Sequence, residues 1–281
     1  MRVTIFGATG LLGKALIGEW DQDEVTGLGS REVDIRAPEQ VAETMARHRP
    51  EWTVLAAAFT DVDGCETNPD LAFDVNCRGA VNVVRSAAAA GSRVLFLGTD
   101  YGFDGEKTSP YEVNYAVRPQ SVYGQSKAEA EVRIREIVPD CCILRTSWVF
   151  GAGGKCFPDT ILKLASSRTE LDVVADQRGC PTYTIDLART IVKLCRKQAT
   201  GTIHATNRGE CTWFDFASEI VRTAKLPTIV RPTTSDKFVR PAKRPSYSVL
   251  SSASLEGYGI VMPRWEDALQ RYLIDRGTPS R

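Results

Sequence analysis

Short apolar runs alternate with longer amphipathic stretches through the first half of the chain. The apolar runs, rich in Val, Ile, Leu and Ala as buried strands are, are residues 3–6, 53–58, 94–99 and 143–149. Helical periodicity is found in the intervening stretches, residues 11–20, 38–48, 69–90 and 122–138. Because right-handed crossovers place helices on both faces of such a sheet, the pattern predicts an α/β protein with a doubly wound parallel sheet.

The pattern is less regular after residue 150. Further helices are predicted at residues 157–167, 185–198, 213–225 and 265–273, and one more strand at residues 202–205. We predict a main domain of residues 1–150, to which residues 179–211 return. Residues 151–178 and 212–281 are predicted to form a smaller, interleaved C-terminal lobe, whose polar last residues, 275–281, we expect to fray.

Composition narrows the classes of partner and compartment. The 35 basic and 35 acidic residues balance, which argues against nucleic acid or an anionic membrane as the main partner. No apolar run approaches the roughly 20 residues of a membrane span, and the first residues predict a strand and no signal peptide. The 8 cysteines and 2 histidines lack zinc-site spacing. We expect buried, reduced thiols, no metal and a cytoplasmic protein.

A glycine-rich turn follows the first predicted strand and opens the first helix. Gly7, Gly10 and Gly13 give the spacing G-x-x-G-x-x-G, in the position where dinucleotide-binding proteins hold a pyrophosphate. Gly7 permits the tight turn, Gly10 the approach of a phosphate, and Gly13 close packing of helix on strand. Free N–H groups at the helix start favour an anion. The sequence therefore predicts a Rossmann-like dinucleotide site.

The adenosine end of that site is less defined by the sequence. Asp34 lies 21 residues after Gly13, near the spacing of an acid that binds a ribose hydroxyl. The second strand, however, is predicted at residues 24–28, so Asp34 and Ile35 are alternatively placed beside the adenine. Arg31 follows that strand directly and would suit a 2′-phosphate, as in NADP, unless it is a plain surface charge. Both NADPH and NADH stay open as cofactor.

Tyr123 and Lys127 are candidates for catalysis. They are four residues apart at a predicted helix start, so both side chains face one side of the helix. A nearby ammonium is expected to lower the pKa of the phenol and suit it to proton transfer with a carbonyl oxygen. Alone, such a pair is more typical of a surface helix, so its meaning depends on the glycine loop and on Thr99 at the end of the fourth strand.

With these motifs together, the chain resembles the dTDP-4-dehydrorhamnose reductase branch of the extended short-chain dehydrogenase/reductase family. The resemblance covers nearly the whole chain. It rests, besides the glycine loop and the Tyr–Lys pair, on residues 56–63, Asn76, residues 98–105, 145–150 and 176–182, and Arg244, Pro245 and Ser248.

The resemblance implies a role for each matching residue. Thr99 would hold the C4 oxygen of a nucleotide-linked 4-keto-6-deoxysugar, Tyr123 would protonate it, and Lys127 would bind the nicotinamide ribose. The substrate would be dTDP-4-dehydro-L-rhamnose and the product dTDP-L-rhamnose. Further residues are implied to contact the cofactor: Leu11, Leu12, Asp34, Ile35, Ala58, Thr60 and Asn76. The sugar or its diphosphate would be contacted by Asp100, Trp148, Arg240 and Arg244.

Two departures and two alternatives accompany the resemblance. Ala15 stands where relatives that dimerise through magnesium carry glutamate, so we expect a monomer or a metal-independent dimer. Gly102 replaces the usual valine and is expected to loosen a loop near the sugar. The alternative functions are a nucleotide-sugar epimerase or dehydratase of the same superfamily, and a non-catalytic regulator similar to the β subunit of methionine adenosyltransferase.

Overall fold

The structure is a computed structural model that describes residues 1–277, so the last four residues of the predicted polar tail, 278–281, lie outside the described part of the chain. The strands, in chain order, are β1 (Arg2–Phe6), β2 (Glu24–Leu28), β3 (Trp52–Leu55), β4 (Arg93–Thr99), β5 (Cys142–Thr146), β6 (Val149–Phe150), β7 (Glu170–Val174), β8 (Arg178–Gly179), β9 (Thr182–Tyr183), β10 (Gly201–His204), β11 (Cys211–Thr212) and β12 (Ile229–Thr233).

The helices between them are α1 (Leu11–Glu19), α2 (Pro38–His48), α3 (Val62–Thr67), α4 (Pro69–Phe73), α5 (Ala80–Ala89), α6 (Val122–Ile137), α7 (Phe157–Ala165), α8 (Thr184–Arg196), α9 (Trp213–Thr223), α10 (Ala253–Glu256) and α11 (Trp265–Asp275). A π-helical turn, Asp74–Gly79, joins α4 to α5, and short 3₁₀ turns cover Asp100–Gly102 and Ser235–Lys237. No helix within residues 1–277 is both long and apolar enough to cross a membrane.

The central sheet is parallel and runs in the order β10-β5-β4-β3-β1-β2. The strand order reverses beside β1, which pairs with β2 on one side and β3 on the other. In doubly wound sheets, ligands bind in the crevice outside the carboxyl ends of the strands at this reversal. The doubly wound parallel sheet predicted from the sequence is confirmed, and its crevice falls beside the predicted glycine loop.

Several elements differ from the predicted pattern. The helix predicted at residues 69–90 is interrupted by the π-helical turn Asp74–Gly79. The strand predicted at residues 143–149 ends at Thr146, because Trp148 takes a left-handed backbone with φ of 45°. The parallel pair of β7 and β12 was not predicted. Both strands are short. In β7 only Leu171 and Val173 are buried, and β12 is largely exposed and contains Pro232, so neither carries a long apolar run.

Three large apolar clusters hold the elements of residues 1–277 together, and Phe103, Tyr111 and Leu250 form a smaller fourth one. One face of the sheet packs under α1 and α8, through residues that include Val3, Ile5, Leu16, Leu187 and Ile191. The other face packs under α2, α5 and α6, through residues that include Phe6, Val41, Met45, Val83 and Phe96.

The third core belongs to the C-terminal half and is built by α7, α9 and α11, with Phe150, Phe216, Ile220, Leu269 and Tyr272 among its members. Leu255, Ile260 and Met262, from the predicted lobe segment 212–281, pack with the sheet core instead. The division into two domains stays a prediction.

Candidate active site

The glycine turn folds tightly between β1 and α1. Gly7 has a φ of 93°, in the left-handed region, and a Cβ there would lie 2.5 Å from the backbone nitrogen of Ala57. A Cβ on Gly13 would lie 2.1 Å from the Gly7 carbonyl oxygen. Gly10 is the N-cap of α1, and no side chain caps the helix there. The first N–H groups of α1 are therefore left without a side-chain acceptor, as an anion-binding helix start requires.

A cleft of about 520 Å³ opens over this turn, at the carboxyl ends of β1, β2 and β3. Of the predicted cofactor residues, it is lined by Gly7, Gly10, Asp34, Ile35 and Ala58. Its volume lies within the range of small-molecule sites. The glycine contacts and the uncapped helix start fit the pyrophosphate of a dinucleotide, so the residues present suit NAD(P)H.

Other predicted cofactor residues lie outside the lining of the cleft. Thr60 is exposed, and Gly13 packs beneath the glycine turn. The side chain of Leu11 packs with the C-terminal core and that of Leu12 with the sheet core. These two leucines can therefore meet a phosphate with their backbone N–H groups, but their side chains face away from it.

At the adenosine end of the cleft, the lining contains Arg36, and the predicted role of Arg31 stays a prediction. Arg36 lines the cleft, whereas Arg31 is exposed and lies outside its lining. Asp34 binds the Arg36 guanidinium with an N–O distance of 2.6 Å, and that hydrogen bond lowers the pKa of Asp34. Sequence reasoning missed Arg36 because it lies eight residues beyond β2 and reaches the cleft through a loop whose path the sequence does not reveal.

Asn76 supports the site from behind. Its amide oxygen accepts from the Phe59 N–H at 2.7 Å, and its amide nitrogen donates to the Phe59 carbonyl and to Ser126 Oγ at 3.1 and 3.0 Å. Asn76 is 1% exposed. Asn76 thereby ties the loop after β3 to helix α6, and its predicted contact with the cofactor stays a prediction.

Thr99 and Tyr123 meet at the carboxyl end of β4. Thr99 ends that strand, and its hydroxyl accepts from the Tyr101 N–H at 3.2 Å. Helix α6 begins at Val122 with Ser121 as its N-cap, which places Tyr123 in the first turn. A Cβ on Gly124 would lie 2.3 Å from the Tyr101 carbonyl oxygen, so this glycine allows α6 to approach the 3₁₀ turn.

The ionisation of the pair differs from the sequence expectation. Burial raises the pKa of Tyr123 to about 12, although its hydrogen bond with Thr99 acts in the opposite direction. Burial also lowers the pKa of Lys127 to about 7, against the attraction of Glu131. The ammonium of Lys127 lies 4.0 Å from the centroid of the Phe96 ring. Lys127 is not among the groups that shift the pKa of Tyr123; burial is the largest cause, and Tyr123 carries its proton at neutral pH.

Asp100 lies next to this pair and is 2% exposed. Burial raises its pKa to about 7, although the neighbouring Ser248 and Thr99 hydroxyls favour the charged form. Thr99 Oγ1 donates to its Oδ1 at 3.3 Å, while Oδ2 has no hydrogen-bond partner. A buried, unpaired oxygen is costly, so Asp100 offers an acceptor, or a donor when protonated, to a polar ligand.

Trp148 forms an aromatic shelf with two residues of the C-terminal half. Its ring stacks on Trp213, and Trp213 in turn packs against Phe157 with centroids 4.5 Å apart. Gly179 makes room for the shelf, because a Cβ there would lie 2.5 Å from the Trp148 ring. The sequence did not single out Trp213. It is the first residue of the amphipathic helix α9, and an aromatic residue there is expected simply to pack in the core.

The two arginines predicted to bind a diphosphate meet Asp63 of α3. Arg244 binds both carboxylate oxygens of Asp63, at 3.0 and 2.8 Å, and Arg240 approaches to 3.8 Å. The Ala242 N–H donates to the same carboxylate. The hydrogen bond from Arg244 lowers the pKa of Asp63. The segment that carries the arginines is thereby fastened beside α3, with Arg240 largely exposed.

Within residues 1–277, no group of three or more His, Cys, Asp or Glu side chains could hold a metal ion. Ala15, at the position discussed for magnesium, is buried.

A dinucleotide cleft at the strand reversal, next to Thr99, Tyr123 and Lys127, defines an oxidoreductase of the short-chain dehydrogenase/reductase class. The chain matches the family model described as "RmlD substrate binding domain" over residues 1–277. It belongs to that family.

Relatives agree over nearly the whole length. The chain is 38% identical over 279 residues to the spore coat polysaccharide biosynthesis protein SpsK of Bacillus subtilis, covering 99% of this chain and 98% of the relative. It is 38% identical over 278 residues to dTDP-4-dehydrorhamnose reductase of Streptomyces griseus, covering 95% and 91%. The structure of dTDP-4-dehydrorhamnose reductase of Bacillus anthracis in complex with NADP superposes with a TM-score of 0.95, at 36% identity and 98% and 99% coverage. The resemblance predicted from the sequence is confirmed, and it favours a reductase over the epimerase and regulator alternatives.

Proposed function

We propose that the protein reduces the C4 ketone of dTDP-4-dehydro-L-rhamnose to the alcohol with NADPH, giving dTDP-L-rhamnose. The observation that carries the proposal is the meeting of Thr99 and Tyr123 at the end of β4, beside the dinucleotide cleft. NADPH is preferred to NADH because Arg36 lines the adenosine end of the cleft and offers a cation to a 2′-phosphate. Arg31, the residue suggested by the sequence, is placed less well for this role.

The chain's own groups handle the proton. When bound, a reduced nicotinamide supplies the hydride. Addition to a ketone builds negative charge on oxygen, and the hydroxyls of Thr99 and Tyr123 stabilise that charge by hydrogen bonding. Tyr123 then donates its phenolic proton to this oxygen. A raised pKa suits the donor role, because Tyr123 keeps its proton until a stronger base, the developing alkoxide, takes it.

The remaining predicted residues bind the two ligands. Lys127 would donate to the nicotinamide ribose, and Leu11 and Leu12 would offer backbone N–H groups to the pyrophosphate. Asp100 would hydrogen-bond the deoxysugar through its unpartnered oxygen, and the Trp148 shelf would cover the sugar's apolar face. Arg240 and Arg244 would meet the diphosphate of the nucleotide.

The compartment, the domain arrangement and the assembly of the enzyme are part of the same proposal. We propose a cytoplasmic enzyme, because all cysteines, eight in number, are free and buried. The C-terminal lobe, residues 151–178 and 212–281, would carry much of the nucleotide-sugar site. The assembly would be a monomer or a dimer without a bridging metal, since Ala15 offers no ligand.

Turnover of a defined substrate tests the proposal. Purified protein is mixed with NADPH and dTDP-4-dehydro-L-rhamnose, and the loss of NADPH absorbance is followed. Tyr123→Phe should lower kcat by about 10²–10⁴-fold, because the proton donor is lost while the ring stays. Tyr101→Phe is the matched control, since Tyr101 packs edge-on against Tyr123 and lacks a role in proton transfer. An inactive wild type, or a Tyr123→Phe variant of full activity, contradicts the proposal.

A further inference from the structure

A row of buried charges begins at Lys127 of the catalytic pair and continues along α6 to Glu131 and then to Arg145. Lys127, Glu131 and Arg145 are 2%, 3% and 2% exposed. Glu131 follows Lys127 by one turn of α6, and Arg145 comes from the neighbouring strand β5. Charges removed from water are costly unless they are paired and hydrogen-bonded. Two buried cations and a carboxylate in one row therefore call for a physical account.

The Glu131 carboxylate is bound by arginine side chains. Arg145 donates to Glu131 from Nε at 3.0 and 3.1 Å and from Nη2 at 2.6 Å, and Arg135 adds a contact at 3.4 Å from the outer side. Within residues 1–277, Lys127 makes no ion pair with Glu131 or with another carboxylate, and its ammonium lies over the Phe96 ring. Arg145 thus binds the Glu131 carboxylate, and no hydrogen bond or ion pair in this part of the chain joins that carboxylate to Lys127.

The Glu131–Arg145 pair also touches the strand that carries Thr99. Gly98, the residue before Thr99, lies opposite Arg145 in the sheet. A Cβ on Gly98 would be 2.7 Å from Glu131 Oε1 and 2.8 Å from Arg145 Cγ. The pair therefore lies across β4 and joins it to α6, the two elements whose relative position sets the meeting of Thr99 and Tyr123.

Other elements packed on α6 contribute few charges to Lys127. Glu131 is the charged group that acts on Lys127. Asp100 of the 3₁₀ turn and Cys65 of α3 act on Tyr123. The π-helical turn presents the uncharged Asn76 and Cys77, and Cys77 faces Glu129 and Arg133 on the outer part of α6. The protonation of Lys127 therefore depends on Glu131 more than on any other neighbour named here.

We propose that Glu131 and Arg145 are positioning residues for the reduction: Glu131 supplies a negative charge that favours the ammonium form of Lys127, and Arg145 binds that carboxylate so that the ammonium stays free for the ribose hydroxyls of the cofactor. The role of Lys127 toward the ribose rests on the proposed function. The charge relation between the three side chains does not, and can be measured in the protein without cofactor.

The two partners should act in opposite directions when they are changed one at a time. Glu131→Gln removes the carboxylate and leaves the Arg145 charge, so the pKa of Lys127 falls by about 1. Arg145→Met frees Glu131 to pair with Lys127, so the pKa of Lys127 rises by about 1. In that variant the ammonium is engaged by Glu131, and NADPH binds about tenfold more weakly, while kcat at saturating NADPH changes less.

Nuclear magnetic resonance of the protein without cofactor gives a direct measurement. The chain is labelled with ¹³C at lysine Cε, the Lys127 signal is assigned with Lys127→Arg, and its titration is compared in wild type and both variants. NADPH affinity is measured by fluorescence on the same samples, and circular dichroism checks that each is folded. Opposite movements of the Lys127 pKa support the inference, and movements in one direction, or none, overturn it.

A double variant covers the case in which a single variant does not fold. Glu131→Gln with Arg145→Met leaves no unpaired buried charge from the pair, and replacing a whole buried pair is tolerated better than breaking it. Its Lys127 pKa must still fall, because Glu131 is the charge that acts on Lys127; an unchanged value overturns the inference. If the wild-type protein shows no turnover, the proposed function is refuted. The titrations of Lys127 still decide the charge relation between Lys127, Glu131 and Arg145, because they need no turnover.

Discussion

Trp148 and Trp213 stack face to face, with ring centroids 3.4 Å apart and planes inclined by 5°. The two residues lie in different parts of the chain, one following β5 of the central sheet and the other opening α9 of the C-terminal core. Trp148 holds a left-handed backbone with φ of 45°. A strained residue needs support from its surroundings, and the Trp213 ring is the support that this geometry supplies.

Removing that support should weaken substrate binding. Trp213→Ala is expected to raise KM for the nucleotide sugar by about 2–10-fold, because a stacked aromatic pair contributes about 0.5–1.5 kcal/mol. KM for NADPH should stay unchanged, since Trp213 lies outside the lining of the dinucleotide cleft. Steady-state kinetics with each substrate varied in turn checks this. Trp213→Phe keeps a ring and serves as control, and an equal rise of both KM values would contradict the prediction.

Two substitutions in the glycine turn should have different effects, one on the free energy of unfolding and the other on the affinity for NADPH. Gly13→Ala brings a Cβ to 2.1 Å from a backbone oxygen, so the free energy of unfolding should fall by about 1–3 kcal/mol. Gly10→Ala meets its nearest atom at 3.4 Å, so the fold should tolerate it. Because Gly10 lines the cleft, its new methyl group should weaken NADPH binding about tenfold, or about 1.4 kcal/mol. Urea unfolding and fluorescence titration of both variants measure the two effects.

Gly102 should accept a side chain. The sequence suggested that this glycine loosens a loop, but it is buried and its carbonyl accepts from the Arg118 N–H at 2.8 Å. Its backbone is not left-handed, and a Cβ would meet Val117 at an ordinary 3.5 Å. Gly102→Ala should therefore stabilise the fold by about 0.4–1 kcal/mol by restricting the unfolded chain. Thermal unfolding checks this, and a lower Tm would contradict it.

His204 should make the fold sensitive to acid. It is 1% exposed, neither ring nitrogen has a hydrogen-bond partner, and burial lowers its pKa to about 3. The unfolded chain binds a proton near pH 6.5 while the folded chain does not, so stability is full above that pH and falls below it. Between pH 6.5 and pH 5 the loss from this group should reach about 2 kcal/mol.

A variant isolates this contribution from other titrating groups. Asp100, whose pKa is raised to about 7, acts in the opposite direction, because protonation favours its folded form. The difference in unfolding free energy between wild type and His204→Asn cancels such terms. It should shrink by about 2 kcal/mol from pH 6.5 to pH 5, and a constant difference across that range would show that His204 is protonated in the folded protein.

Local sequence patterns were sufficient to predict most of the fold. The helix Pro38–His48 has the predicted bounds, since a proline opens it and an apolar face runs along it. The strands β1, β3, β4 and β5 of the central sheet are buried on both faces, so their sequences are nearly continuous apolar runs. The β7–β12 pair could not be predicted, because pairing between distant, half-exposed strands leaves little trace in either segment.

Residues of the candidate site were predictable where a single physical requirement selects one residue type at that position. Gly7 and Gly13 are required by close backbone approach, and the spacing of Tyr123 and Lys127 follows from the helix. Arg36 reaches the cleft through the path of a loop, and Glu131 meets Arg145 from a neighbouring strand. Only the tertiary structure defines these two arrangements. The direction of the Tyr123 pKa shift was predicted wrongly because burial, its largest cause, cannot be judged from spacing.

The sheet's edge strand β10 and the helix α8 that covers α1 are encoded after α7 and β7 of the C-terminal half. During synthesis, the first 150 residues emerge with the face of β1, α1 and β5 still bare, including Leu16 and Leu144, which later pack against Leu187 and Ile191. That face stays a target for chaperones or for misassociation until the ribosome has passed residue 204. The central sheet of the reductase therefore cannot finish folding before the ribosome has already made α7 and β7 of the C-terminal half.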